Sequence, residues 1–372
     1  MVEIVEVKTK KQIKEFIEFP LKMYKDNPYF VPPLYADEKG IFKDNYVYAK
    51  TCEAVYFLAY IDGDVVGRIS GIIQKQSNEK TGEKRARFTR FDSVDDDEVA
   101  NALFKAVENW AKNKGMEIVC GPLGFSDLER EGLLIEGFDE LSTFEEQYNY
   151  EYYGKLIENC GYKKEVDWVE SKVYCPEKVD EKISRITQRT LAKYNLHAAK
   201  CKNTAELINK HAKGIFECLD ICYRDLYGTV DFTEEMKNQM ITQFKLIVNI
   251  RYVGVVLDEH DNVVAFGLCF PSIGKALQKS GGRLTLPTLF KILKCVKKPE
   301  IIDLGLVAIL PEYQRTGLSA CVIEFLSEIM IKNKVKYCET NLNLEDNTSI
   351  QSLWKYFDHV NHKKRRSYIK NI

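Results

Sequence analysis

The chain is predicted to be α/β (α+β): two copies of one unit, each a mixed, mostly antiparallel sheet flanked by helices. Three observations carry this. Short apolar runs stopped by Pro or Gly alternate with segments whose apolar residues recur at helical spacing. The order of these elements is the same in residues 1–175 and 176–372. Even local text repeats, since Ala111-Lys112-Asn113-Lys114 and Ile331-Lys332-Asn333-Lys334 each precede a strand. A duplication with its boundary at Cys175-Pro176 follows, each copy being roughly 170–190 residues, within the ordinary domain range.

In the first copy a strand-like EIVEV precedes a helix from Thr9 to Tyr24 carrying Ile13, Phe16, Ile17 and Leu21. Pro28, Pro32 and Pro33 punctuate a crossing segment. Val55–Tyr60 and Val65–Ile73 form a hairpin about Asp62-Gly63. Arg85–Phe91 is the third strand. Val99, Leu103, Val107 and Trp110 share one face of a helix over 97–112, and Ile118–Cys120 is a strand. The copy closes with a tyrosine-rich helix, YNYEYYGKLIENCGY, and a strand at Asp167–Tyr174. In the second copy the series is a strand at His197–Lys202, a helix at Thr204–Cys222 and a hairpin of Arg251–Leu257 with Val263–Phe270. A strand at Ile301–Leu310, a helix at Gln314–Lys332 and a strand at Tyr337–Leu342 follow. A helix at Thr348–Phe357 and a strand at Arg366–Ile369 end it.

The stretch that carries chemistry lies between the strand ending at Leu310 and the helix after it, PEYQRTGLSA. Strand, tight loop and helix N-terminus make an anion site, because unpaired N–H groups point outward and the helix dipole adds about half a positive charge. Gly317 lets the backbone come close to a phosphate, Ser319 is small enough not to block it, and Arg315 adds a charged donor. An ordinary strand-to-helix turn reads the same way. The order of residues, however, resembles motif A of the GNAT superfamily of acyl-CoA-dependent N-acyltransferases, Gln/Arg-x-x-Gly-x-Gly/Ala. Gln314 fills the first place and Gly317 the second, and Ser319 replaces the last. The resemblance implies a tandem GNAT fold over nearly the whole chain, with the specific motif confined to the second copy. It implies that Gln314, Arg315, Thr316, Gly317, Leu318 and Ser319 hold a coenzyme A pyrophosphate. It also implies that the amides of Val307, Ala308 and Ile309 hold the pantetheine arm, and that Asn347 touches that arm. Acetyl-CoA, or another acyl-CoA, would be the co-substrate, with no metal.

At the matching place in the first copy the text is FDSVDDDEVANA, with no glycine. Asp95, Asp96, Asp97 and Glu98 suit a helix N-terminus but repel a pyrophosphate. That copy is expected to lack the cofactor and to be a structural or an acceptor-shaping unit. Acyl transfer to an amine needs a proton acceptor and a proton donor to the leaving thiolate. Asp303, Glu339 and Glu345 are candidate bases, each also read as a surface or capping carboxylate. Trp354 stands where the family often has its tyrosine acid. Tyr356 is two residues on, roughly 200° around a helix, which leaves the acid unassigned.

His211, Cys218 and Cys222 share one helical face, as metal ligands, as a reactive thiol or as small core residues. The run His362-Lys363-Lys364-Arg365-Arg366 reads as a solvated strand entrance or an anion contact. Residues 271–300 have no counterpart in the first copy. There Leu286, Leu289, Phe290, Leu293 and Val296 recur at helical spacing among lysines, as a helix packed on the body, a lid, or a membrane-surface helix.

The chain's 45% hydrophobic and 29% charged content describes a globular protein rather than a disordered one. A net charge of −1 advertises no nucleic-acid partner. No apolar run is long enough to span a bilayer, though peripheral contact stays open. The eleven cysteines lack a C-x-x-C pair, as expected of reduced thiols in the cytoplasm. The acceptor is expected to be a small-molecule, peptide or lipid amine. Transfer of a longer acyl or an aminoacyl group, and a non-catalytic CoA- or partner-binding role, are the alternatives.

Overall fold

The computed structural model describes every residue except 246. Fourteen strands form one continuous sheet. The first half contributes β1 (Glu3–Glu6), β2 (Cys52–Ile61), β3 (Asp64–Gln74), β4 (Arg85–Ser93), β5 (Ile118–Gly121), β6 (Leu133–Glu136) and β7 (Lys163–Tyr174). The second contributes β8 (His197–Ala198), β9 (Val253–Leu257), β10 (Val263–Pro271), β11 (Ile301–Ile309), β12 (Tyr337–Thr340), β13 (Asn343–Leu344) and β14 (His359–Asn371). The order across the sheet is β1-β2-β3-β4-β5-β14-β7-β12-β11-β10-β9-β8, with β6 on β14 and β13 on β7. Read inward from either edge, the two series match strand for strand, and they meet at β14 and β7.

Among the described residues only β4·β5 and β11·β12 are parallel; the other pairs are antiparallel. The expected class therefore holds, but as one mixed sheet rather than two. The reason lies in the middle. The last strand of the chain inserts between β5 and β7, and β7 in turn pairs with β12. Each half thus receives its sixth strand from the other.

The helix Asp97–Asn113 packs Val99, Leu103, Phe104 and Val107, all buried, onto the first half of the sheet. Its N-cap Asp96 accepts from the N–H groups of Glu98 and Val99, so an acid occupies the helix end. In the second half the helix Ser319–Asn333 packs against the helix Glu181–Lys193, an element the periodicity left unnoticed. A second unpredicted helix spans Glu234–Phe244. The helix expected from Gln314 begins only at Ser319, because Arg315 (φ 63°) and Gly317 (φ 97°) take left-handed backbone conformations that a helix cannot include.

Two sequence expectations are corrected. The basic run 362–366 is not a solvated strand entrance, since it lies inside β14 with Lys363 and Arg365 fully buried. The face that was to pack the helix Leu286–Lys297 on the body is divided. Leu289 and Val296 are half-buried, while Leu286, Phe290 and Leu293 point into solvent and Ile292 seats the helix instead.

Candidate functional site

The sheet opens beside the loop that motif reasoning singled out. Strands β11 and β12 pair in register only from Ile301↔Tyr337 to Leu304↔Thr340. Beyond that point β11 stays with β10, while the other branch crosses to β7 through Asn343↔Val169 and Leu344↔Trp168. A bulge helps turn β11 away, and Gly305 sits in it, where a Cβ would lie 2.2 Å from the Phe270 ring. The gap between the branches is a cavity of about 740 Å³. Leu304–Ile309 form one wall, Asn341–Leu344 the other, and Gln314, Arg315 and Ser319 one end. The helix Thr204–Tyr223 covers it with Leu219, Cys222 and Tyr223.

The edge of β11 that faces this gap carries backbone groups without a strand partner. The Val307 carbonyl accepts from the Tyr223 hydroxyl at 3.1 Å, and the Ile309 carbonyl from Gln314 Nε2 at 3.1 Å and the Cys222 thiol at 3.2 Å. In an antiparallel ladder the N–H and C=O of one residue point the same way, so the amides of Val307 and Ile309 face the gap as well. At its end no side chain caps the helix Ser319–Asn333. Among the described residues none accepts from the N–H of Arg315, Gly317 or Leu318. Loop and open strand edge together form a row of donors able to take a phosphate and then an extended amide-bearing arm.

Within this row the residues differ in role. Leu318 buries its side chain and can offer only backbone. The Thr316 hydroxyl is engaged with the Tyr313 carbonyl at 2.6 Å. Arg315 and Ser319 line the cavity. Gly317 is held twice over, by its positive φ and by the neighbouring helix, since a Cβ would sit 2.8 Å from Thr190 Oγ1. Gly317→Ala is accordingly expected to lower the unfolding free energy by about 1–3 kcal/mol, measured by urea titration. Asn347 caps the helix Thr348–Trp354, accepting from the Ile350 N–H at 3.3 Å, and lines the cavity.

The candidate acid–base residues fall elsewhere. Tyr356 is 61% exposed and lines neither cavity described here. Trp354 is buried and donates its indole N–H to Asn343 Oδ1 at 2.9 Å. Asp303 and Glu339 are neighbours across β11·β12, both buried. Burial and then Glu339 push the Asp303 carboxyl well above its ordinary value, and among the described residues neither of its oxygens has a hydrogen-bond partner. Burial would raise Glu339 too, but the Lys363 ammonium at 2.6 Å outweighs it and holds the carboxyl low. Glu345 is exposed and pairs with Lys164 at 2.5 Å. Glu170, Glu339 and His362 come close enough to suggest a metal site, yet Lys363 Nζ lies 2.8 Å from Glu170 and 2.6 Å from Glu339, where a cation would sit.

A second cavity of about 780 Å³ opens beside Thr89, Arg90 and Asp92 of β4 in the first half, and residues of the second half from Met236 to Ile292 help close it. It holds the position there that the first cavity holds beside β11, because β4 pairs with β5 only over Arg85–Arg87. Its floor is charged: Arg68 meets Asp92 at 2.8 Å, and Arg90 meets Glu38 at 3.0 Å. Arg130 donates to the carbonyls of Val31 and Phe144 instead, and among the described residues no carboxylate comes within 4.0 Å of it. Burial brings its guanidinium down to about 10. Its rim is apolar, with Leu34, Phe144, Ile273, Leu284 and Ile292.

The two cavities share Leu128, Glu129, Glu145 and Met240 as walls. Glu145 is the residue that sequence reasoning missed. Burial, then the adjacent Glu146, push its carboxyl up to about 7. Asn341, in the wall beyond the end of β12, donates to it at 3.3 Å. A carboxyl poised near neutrality between two cavities, one of them bearing an anion loop, is a candidate general base.

No family model matches the chain. Among curated proteins, Protein YghO of Escherichia coli strain K12 is 27% identical over 380 residues, covering 98% of this chain and 94% of its own. The bacterial ceramide synthase of Caulobacter vibrioides is 27% identical over 288 residues, covering 76% of this chain and 73% of its own. Among solved structures, a tandem GNAT protein from the clavulanic acid biosynthesis pathway aligns with a TM-score of 0.54 at 11% identity, over 100% of this chain and 98% of that one.

Proposed function

We propose that this chain, whose fold is that of tandem GNAT proteins, is an acyl-CoA-dependent N-acyltransferase acting on an amphiphilic amine. The observation that carries the reading is Glu145, placed where the anion-loop cavity of the second half adjoins the cavity of the first. The uncapped helix and the amides of Arg315, Gly317 and Leu318 hold the donor's pyrophosphate, and the open edge at Val307 and Ile309 aligns its pantetheine arm. To do so the ligand shares or displaces the hydrogen bonds now made by Tyr223, Cys222 and Gln314.

The amine enters through the first-half cavity, and Glu145 takes its proton as nitrogen attacks the thioester carbonyl. An amide of the β11 edge stabilises the oxygen on which charge develops. As the C–S bond breaks, the Tyr223 phenol at the same edge protonates the thiolate. This role passes to Tyr223 because Trp354 is buried and engaged and Tyr356 is exposed. The acceptor class rests on the apolar rim and charged floor of the first-half cavity, and on the relative named as a ceramide synthase. An apolar tail with one polar end fits those walls. A cavity of about 740 Å³ leaves the acyl length open, which makes chain length the first variable to test.

Thermal unfolding with free CoA, acetyl-CoA and a long-chain acyl-CoA, on the parent and on Ser319→Glu, tests the donor site. A ligand at 100 times its Kd stabilises the folded state by about 2.7 kcal/mol. Ser319→Glu is expected to abolish that stabilisation, since its carboxylate repels the pyrophosphate and competes for the helix amides. The protein should nevertheless stay folded, because an acid at a helix N-terminus is itself worth about 0.3–1 kcal/mol. Gly317 is the wrong residue to change here, for its loss harms the fold first. Undiminished binding by Ser319→Glu would move the donor away from this loop.

A further inference from the structure

We propose that the helix Leu286–Lys297 is a docking surface for an anionic lipid bilayer, seated beside the mouth of the first-half cavity. The helix is held by its inner side, where Thr288 and Ile292 are buried, and Ile292 joins a core with Ile273, Ala276 and Leu277. That core does not need the outer side. Yet Leu286 and Phe290 are each 73% exposed and Leu293 is 52% exposed, and Leu284 just before the helix is exposed too. At ~100° per residue the three helical positions fall within roughly 60° of arc, a single apolar stripe facing solvent.

Charge says what covers the stripe. Residues 271–299 contain Lys275, Lys279, Arg283, Lys291, Lys294, Lys297 and Lys298 and not one Asp or Glu, in a chain whose net charge is −1. Lys297 falls within the arc of the stripe and Lys294 just beside it, and all four lysines of residues 291–298 are exposed. Among the described residues the ion pairs at this segment are Arg283 with Glu18 and, at its end, Glu300 with Lys336, so the four lysines are left to an outside partner. A second copy of the chain would set lysine against lysine. An anionic bilayer answers both features, taking the apolar residues among its acyl chains and the lysines at its phosphates. No described helix is long and apolar enough to cross a membrane, so the contact is peripheral.

Position gives the surface its use. The exposed Leu284 just before the helix and Ile292 on its inner side are also walls of the first-half cavity, so the docked helix stands against that cavity. A bilayer there would deliver an amphiphilic amine to Glu145 without passage through water. This last step rests on the acyltransfer reading, whereas the docking does not.

The test uses the full chain with vesicles of phosphatidylcholine alone and with about 30% phosphatidylglycerol, read by co-sedimentation. The parent is expected to bind the anionic vesicles at least ten-fold better, with binding that falls as salt rises. Leu286→Ser/Phe290→Ser and Lys291→Glu/Lys294→Glu/Lys297→Glu should each reduce it ten-fold or more, with unchanged circular dichroism because all five residues are exposed. Vesicle binding by a protein that turns over no amine would keep the docking and sink the acyltransfer. Three results overturn the docking: no parent binding at low salt, binding that both variants retain, or parent dimers that Leu286→Ser/Phe290→Ser dissociates.

Discussion

Glu145→Gln is expected to reduce kcat by about 10²–10⁴-fold, the usual weight of general base catalysis, and to erase the acid limb of its pH profile. In the parent, kcat should rise with pH, reach half its plateau near 7, where the Glu145 carboxyl ionises, and level off above that. Glutamine keeps the shape and can still meet Asn341, but it has no proton to lose, so its residual rate should be flat across that range. Stability separates this from damage to the fold. Burial raises the folded carboxyl above the ordinary glutamate value of 4.5, so the folded state prefers the protonated form. Its stabilising effect is complete below that value and is lost as pH climbs through about 7. A neutral glutamine avoids the loss, and Glu145→Gln should therefore melt no lower than the parent at pH 8. A variant that retains the acid limb would place the base elsewhere, with Asp303 and Glu339 the next to change.

The loop at 311–319 was legible because everything that makes it a donor site is local. A strand stops at a proline, a glycine takes a positive φ, and an apolar stripe starts a helix, all within a few residues. Glu145 was not legible, because Asn341, the residue that holds it, lies 196 positions away, and its raised affinity for a proton comes from burial between the halves. The same holds for β14. Four basic residues in a row looked solvated, as such runs usually are. Alternation within the run was the available signal, since Lys363, Arg365 and Ser367 turn inward and Lys364 and Arg366 do not. That alternation becomes meaningful only once the strand is known to lie between β5 and β7, and no short-range pattern states which strands exchange. The outer stripe of Leu286, Phe290 and Leu293 was visible as periodicity, but which face of the helix would meet the body depends on Ile292 finding Ile273 and Leu277.

Lys363→Met is expected to cost about 3–5 kcal/mol of unfolding free energy, the scale for stripping one partner from a buried charge cluster. The ammonium is fully buried and lies 2.7 Å from Glu146, 2.8 Å from Glu170 and 2.6 Å from Glu339. Arg365 shares two of these carboxylates, at 2.6 Å from Glu170 and 3.3 Å from Glu146. The acids come from both halves, and both bases come from the strand the halves exchange, so the cluster joins the two units at their seam. Coulomb attraction beats burial for Glu146 and Glu339, whose carboxyls sit below the ordinary 4.5. Burial wins for Glu170, pushed up to about 7. The sign of the pH effect follows from the first two. Stability from a depressed carboxyl is present above 4.5 and fades as pH falls through its folded value. Methionine removes most of that contribution, so the difference between parent and variant should hold from pH 7 to about 4.5 and shrink as pH falls further. Adding Glu339→Gln to Lys363→Met should recover part of the loss, since one uncompensated carboxylate is gone, and a double-mutant cycle in urea measures the coupling. A difference that does not shrink below pH 4.5 would mean the lysine acts by packing its stem rather than by its charge.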